Sequence, residues 1–117
     1  MQLWARDGDL VAEMNARRAN AVYLPDIVFP DTLEATADLP GALGAAQFVV
    51  VAVPSHGLRQ VLRQGAAHVV RGAVVLSATK GLEDGSLLRM SEVIRAEWSH
   101  VDEVAVISGP SFARELA

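Results

Sequence analysis

Phe48-Val49-Val50-Val51-Ala52-Val53-Pro54-Ser55-His56 is the stretch from which the fold can be read. Its first six residues are continuously apolar and mostly β-branched. That is the pattern of a strand buried on both faces of a parallel sheet, since a half-exposed strand would alternate. Pro54 ends the run, having no N–H to give to a ladder. Leu58, Val61 and Leu62 then recur at helical spacing. Downstream, residues 73–78 and 104–108 are predicted as two more buried strands. Between them a helix is predicted over 86–98, with Leu87, Met90, Val93, Ile94 and Trp98 turned inward.

Upstream of the decisive run, residues 2–5 are predicted as a short strand. Asp9 is the expected cap of a helix reaching about Arg18, with Leu10, Val11 and Met14 on one face. Residues 19–30 read as irregular, broken by Pro25 and Pro30. Residues 32–37 alternate like an edge strand, and Asp38 is expected to cap a short helix over 39–46. A last helix is predicted from near Ser111. Strands alternating with helices through short connections predict an α/β fold: a Rossmann-like parallel sheet with flanking helices on both faces and right-handed crossovers. There is no repeat, low-complexity tract or linker, so no domain boundary is expected within residues 1–117.

Composition narrows the function. The 117 residues suffice for one core, and 51% hydrophobic with 21% charged is ordinary for a globular domain. A net charge of −4 gives no reason to expect nucleic acid as a partner. The absence of cysteine removes disulfides, thiolate metal sites and a cysteine nucleophile. Residues 48–53 are too few to span a bilayer. Arg6, Asp7 and Asp9 follow Met1 too closely for a signal segment, so no membrane and a cytoplasmic location are expected. No two histidines and a carboxylate share metal-ligand spacing, so no metal is expected. His56 shows no acidic partner, and His68 and His100 read as helix-end or surface residues.

In an open α/β sheet, ligands bind beyond the carboxyl ends of the strands. Four stretches occupy that edge: Arg6-Asp7, Pro54-Ser55-His56, Thr79-Lys80-Gly81 and Gly109-Pro110-Ser111. The first resembles the end of the second strand of a dinucleotide fold. There an acidic residue meets the ribose 2′-hydroxyl of NAD, and an arginine meets the 2′-phosphate of NADP. Arg6 followed by Asp7 leaves that choice open, as it leaves open a solvated loop arginine. Lys80 is the only lysine in the chain, at the end of a buried strand and before a glycine. It is either a compact charge for a ligand oxygen or an exposed loop residue. Ser111 can cap the last helix, whose first-turn N–H groups could hold an anion. There is no G-x-G-x-x-G; Gly41-Ala42-Leu43-Gly44 has the wrong spacing.

Five stretches together resemble bacterial NAD(P)-dependent glycerol-3-phosphate dehydrogenase. They are Leu3-Trp4-Ala5-Arg6-Asp7, the run Asn20 to Asp26, Val53-Pro54-Ser55-His56, Ala78-Thr79-Lys80-Gly81-Leu82-Glu83, and the run Ile107 to Ala113 with Glu115. The resemblance covers the whole chain, and its fourth and fifth stretches, about thirty residues apart, are specific in combination. It implies NAD or NADP as cofactor. The implied reaction is hydride transfer between NAD(P)H and dihydroxyacetone phosphate, giving sn-glycerol 3-phosphate for phospholipid synthesis. It also implies Arg6 at the adenosine end of the cofactor and Lys80 on both cofactor and substrate. Gly109 and Ser111 would touch the substrate, and Ala113 the cofactor. Lys80 would act catalytically on the carbonyl oxygen. A homodimer of the full-length protein is one assembly left open.

Departures from the family pattern shape the expectation further. The family's first strand and Gly-rich turn, normally between the strands at Gln2 and Phe48, have no counterpart here. Nor does its C-terminal helical domain, which carries a proton-transferring lysine and the phosphate-holding arginine and asparagine. Gly57 stands where relatives often carry a bulkier residue. The expectation is therefore a partial NAD(P)-binding domain over residues 1–117, inactive by itself. The alternatives are another dehydrogenase with a similar domain, such as a ketopantoate reductase or sugar-nucleotide dehydrogenase, and a non-catalytic nucleotide-binding or interaction module.

Overall fold

The computed structural model describes residues 1–109. They gather into two compact units, Met1–Ala42 with Gly109, and Leu43–Ser108. The helix predicted from Ser111 lies outside the described residues.

In the first unit, β1 (Gln2–Trp4) pairs in parallel with β4 (Glu34–Thr36), Leu3 opposite Ala35. The helix α1 (Gly8–Arg17) follows β1 after one short turn, and Val11 and Met14 on it form a core with Phe29 and Ala35. Its cap is Asp7 rather than the expected Asp9. Asp7 has extended backbone, and its carboxylate accepts from the N–H groups of Asp9 (2.9 Å) and Leu10 (3.1 Å). Asp9 lies in the first turn instead, where a carboxylate favours the positive end of the helix dipole.

Residues 19–30 are more regular than expected. They contain β2 (Ala19–Asn20) and β3 (Leu24–Val28), an antiparallel pair with a register shift between Ala19 and Asn20. Pro25 sits inside β3, which an edge strand tolerates because one side of it needs no N–H donor. Arg18 ends α1 in the left-handed region, φ 53, and its guanidinium donates to the carbonyls of Pro30 (2.5 Å) and Leu33 (2.8 Å). The short helix α2 (Leu39–Gly44) is capped as expected, with Gly41 N–H donating to Asp38 at 3.0 Å.

The second unit is built on β5 (Phe48–Val51), β6 (Val74–Ser77) and β7 (Glu103–Val106), all parallel, in that order. The helix α3 (Ser55–Gly65) connects β5 to β6, and α4 (Met90–Glu97) connects β6 to β7. The helix predicted from residue 86 starts four residues later. Leu87 adopts φ 57 and is 71% exposed, so it is not an inward residue. Arg89 N–H donates to the Glu92 carboxylate at 2.8 Å, which sets the start of α4 at Met90. Met90, Val93, Ile94 and Trp98 are buried as predicted, and the Trp98 indole N–H donates to Leu62 O at 2.7 Å.

The decisive run forms its strand, but it is not covered on both faces. Val51 is buried, whereas Phe48 and Val50 are 57% and 55% exposed. Among the described residues α3 packs on α4, and these helices cover one face, that of Val51, Val75 and Ser77. Edges are open as well. Gln47 O and Val51 O accept from Val74 and Ala78, so by alternation Phe48 and Val50 turn their backbone groups away from β6. In the first unit, Met1 O and Ala5 N–H pair with β4, so Gln2 and Trp4 likewise turn away from it. Neither edge has a strand partner among the described residues.

Candidate functional site

Parallel pairing brings the carboxyl ends of β5, β6 and β7 to one edge of the second unit. Three segments emerge there. Val53-Pro54 leads into α3, whose first turn carries exposed His56 and has no side-chain cap. Thr79-Lys80-Gly81 leaves β6. Ile107-Ser108 leaves β7 toward Gly109.

Side chains fasten these segments together. Thr79 is buried, and its hydroxyl donates to Val53 O at 2.7 Å, tying the exit of β6 to that of β5. Lys80 is exposed, and its ammonium donates to Ile107 O at 3.0 Å, reaching the exit of β7 two residues before Gly109. Gly81 adopts φ +97 with nothing within 4 Å of where a Cβ would stand, so glycine is required there by conformation and not by space. Gly109, at φ +91, has the same requirement. At Gly57 a Cβ would meet only Val53, at 3.9 Å.

Beyond Lys80 the chain doubles back. Leu82 bridges Arg89, and Glu83 N–H donates to Leu88 O at 2.9 Å. The Glu83 carboxylate receives both Nε and Nη2 of Arg59 from α3, each at 2.7 Å, and the Ser86 hydroxyl at 2.6 Å. Arg59 Nη1 donates to Glu97 at the end of α4, and Arg63 Nε donates to the same carboxylate at 3.1 Å. The hydrogen bonds from Arg59 and then Ser86 hold the Glu83 carboxyl down at about 2. Those from Arg63 and Arg59 lower Glu97, and Glu83 with Glu97 raises Arg59.

Of the residues expected at the site, Lys80 stands at this edge. Arg6 is exposed directly after β1 in the first unit, with Asp7 engaged as the cap of α1. Ser111 and Ala113 fall outside the described residues. Sequence reasoning gave no role to Thr79, Arg59, Glu83 or Glu97. The only local signal was the i, i+4 spacing of Arg59 and Arg63 on one helix face. No helix among the described residues is long and apolar enough to cross a membrane.

Comparison with known proteins agrees over this whole stretch. The family model described as the N-terminus of NAD-dependent glycerol-3-phosphate dehydrogenase matches residues 1–117. Glycerol-3-phosphate dehydrogenase [NAD(P)+] of Pseudoalteromonas translucida is 45% identical over 98% of this chain and 34% of its own length. That of Frankia casuarinae is 47% identical over 100% of this chain and 35% of its own length. The crystal structure of glycerol-3-phosphate dehydrogenase from Coxiella burnetii superposes with a TM-score of 0.89 at 37% identity, over 98% of this chain and 35% of that one. The chain thus spans about a third of the length of the curated relatives it matches.

Proposed function

The chain belongs to the family of the NAD-dependent glycerol-3-phosphate dehydrogenase N-terminus, and we propose that it is the nucleotide-binding part of an NAD(P)-dependent glycerol-3-phosphate dehydrogenase. The proposed reaction interconverts dihydroxyacetone phosphate and sn-glycerol 3-phosphate, in the cytoplasm, toward glycerophospholipid synthesis. The proposed assembly is a homodimer of the full-length protein.

Each unit, taken by itself, offers a cation suited to a phosphorylated dinucleotide. Arg6 and Lys80 are exposed cations at the carboxyl ends of parallel strands. No Cβ narrows the approach at Gly81 or Gly109, and Gly57 leaves room at the start of α3. Arg6 is the proposed contact for the adenosine end, and Ala113 the proposed cofactor contact further along. Asp7 commits Oδ1 of its carboxylate to capping α1, whereas the Arg6 side chain is exposed beside it, which supports Arg6 as the residue that meets the ribose and a 2′-phosphate.

When bound, the nicotinamide supplies or accepts the hydride. The remaining work at the carbonyl is electrostatic. As hydride reaches the carbonyl carbon, negative charge gathers on the oxygen, and a positioned ammonium stabilises it. Lys80 is proposed for that role, and Gly109 and Ser111 for substrate contacts. The proton that completes the alcohol comes, in this reading, from residues beyond this stretch.

The observation that carries the reading is Lys80 at the carboxyl edge of a parallel sheet, held by Ile107 O, within a chain matched end to end by the family. The test is turnover of glycerol 3-phosphate by a chain of the relatives' full length that carries this stretch. Replacing Lys80→Ala is expected to lower kcat by about 100- to 1,000-fold, the usual loss when one donor to developing charge is removed. Near-normal turnover refutes the role, and absence of turnover in the parent chain refutes the reaction.

A further inference from the structure

Lys80 sits between two fastenings. One residue before it, the Thr79 hydroxyl holds Val53 O at 2.7 Å. Three residues after it, the Glu83 carboxylate takes the two-pronged grip of Arg59, both bonds 2.7 Å. Gly81 lies between, in a backbone conformation that favours glycine, so the loop's path is not stiffened by its own side chains. The side-chain grip at Glu83 adds to the backbone bonds that join Leu82 to Arg89 and Glu83 to Leu88, and it ties this loop to α3.

Arg59 does not act on Glu83 alone. Its third nitrogen reaches Glu97 at the far end of α4, and Arg63 engages the same carboxylate from the next turn of α3. Arg59 therefore joins the helix that begins after Pro54, the loop that begins at Lys80, and the helix that ends before Trp98. The three groups are partly buried, so the charges are less screened than at an open surface. A planar guanidinium satisfying two carboxylates fixes direction as well as distance, which a lysine in its place would not do.

We infer that Arg59, through Glu83, is a positioning residue that sets where the ammonium of Lys80 stands for the proposed hydride transfer. This rests on the reading of Lys80 given above. Misplacing a group that stabilises transition-state charge lowers turnover even when the ligand still binds, because a small displacement is enough to lose the interaction.

The test is a double-substitution cycle in the full-length chain. Arg59→Ala is expected to lower kcat about 10- to 100-fold. KM for NAD(P)H should change far less, since the Arg59 guanidinium is occupied by Glu83 and Glu97. The double variant Arg59→Ala with Lys80→Ala should turn over no more slowly than Lys80→Ala alone, because Arg59 has nothing left to position. Arg59→Lys, which keeps the charge but not the fork, should recover only part of the loss. Parent-like kcat in Arg59→Ala, or losses that add in full, overturns the inference while the loss in Lys80→Ala alone leaves the role of Lys80 standing. Normal turnover in Lys80→Ala removes the reading and the inference with it. If Arg59→Ala does not fold, Glu83→Gln, which keeps its shape and loses its charge, carries the same cycle with the same two outcomes.

Discussion

Arg6 and Lys80 are both exposed cations just past the end of a parallel strand, yet the chain treats them differently. Lys80 donates to Ile107 O, and its loop is held by Thr79 on one side and by Glu83 with Arg59 on the other. Arg6 makes no side-chain hydrogen bond or ion pair with the described residues. Only its backbone is constrained, by Ala5 pairing to Thr36 before it and the Asp7 cap after it. A group that must meet charge developing on one atom gains from being fixed in advance. A group that meets a ribose or phosphate at the outer end of a long ligand can settle around it.

That contrast can be broken at either end. The largest effect in the first unit is expected from Arg6→Glu. If Arg6 meets a 2′-phosphate, losing a charge-assisted bond should weaken NADPH about 10- to 100-fold. NADH should change much less, as calorimetry on the full-length chain would show. Equal losses for both cofactors would remove Arg6 from the 2′ position.

A second test sharpens the role of the charged grip. Glu83 titrates at about 2, below the ordinary 4.5, because Arg59 and Ser86 hydrogen-bond its charged form. A carboxyl depressed by folding contributes stability that is complete above its unfolded value and is lost as pH falls through the folded one. The thermal midpoint should therefore hold down to about pH 5 and decline toward pH 2. Glu92 is also held at about 2, by Arg89, so part of the decline belongs to the start of α4. Glu97, lowered by Arg63 and Arg59, takes a further share. Glu83→Gln should reduce the slope by the share of Glu83, and a slope identical to the parent's would show that Glu83 contributes none of it.

The smallest effect is expected at Asp7. Removing the cap by Asp7→Ala should cost about 1 kcal/mol of stability, read from denaturant unfolding. It should leave the kinetic role proposed for Lys80 untouched. A loss of turnover matching the Arg59 variant would mean that the two sites are not held independently.

Legibility followed the physics of each element. β5, β6 and β7 were plain in the sequence because continuous apolar, β-branched runs have few other uses. Their degree of covering was not plain: β5 and β6 bury one face and β7 buries no residue, and a strand's composition does not tell which of its faces a helix will cover. The hairpin β2–β3 was hidden by Pro25 and by a register shift. The start of α4 was misplaced because Leu87 continues the apolar period while its backbone is left-handed. Lys80 could be picked out from the end of a strand and the glycine after it. The grip around it could not, because Arg59 meets partners 24 and 38 positions away, and the i, i+4 spacing of Arg59 and Arg63 does not say which carboxylates they meet.

Asn15, on α1, donates to Ala35 O at 2.8 Å and accepts from Ala35 N–H at 2.9 Å. Its amide thereby stands in for the next peptide unit on the outer side of β4. In the language of polymers, that side of the sheet is end-capped, while among the described residues the side of β1 where Gln2 and Trp4 turn outward has no strand partner and is a growing end. Elongation of this sheet would be unidirectional: with Asn15 on Ala35, the side left for a further strand is the one next to β1.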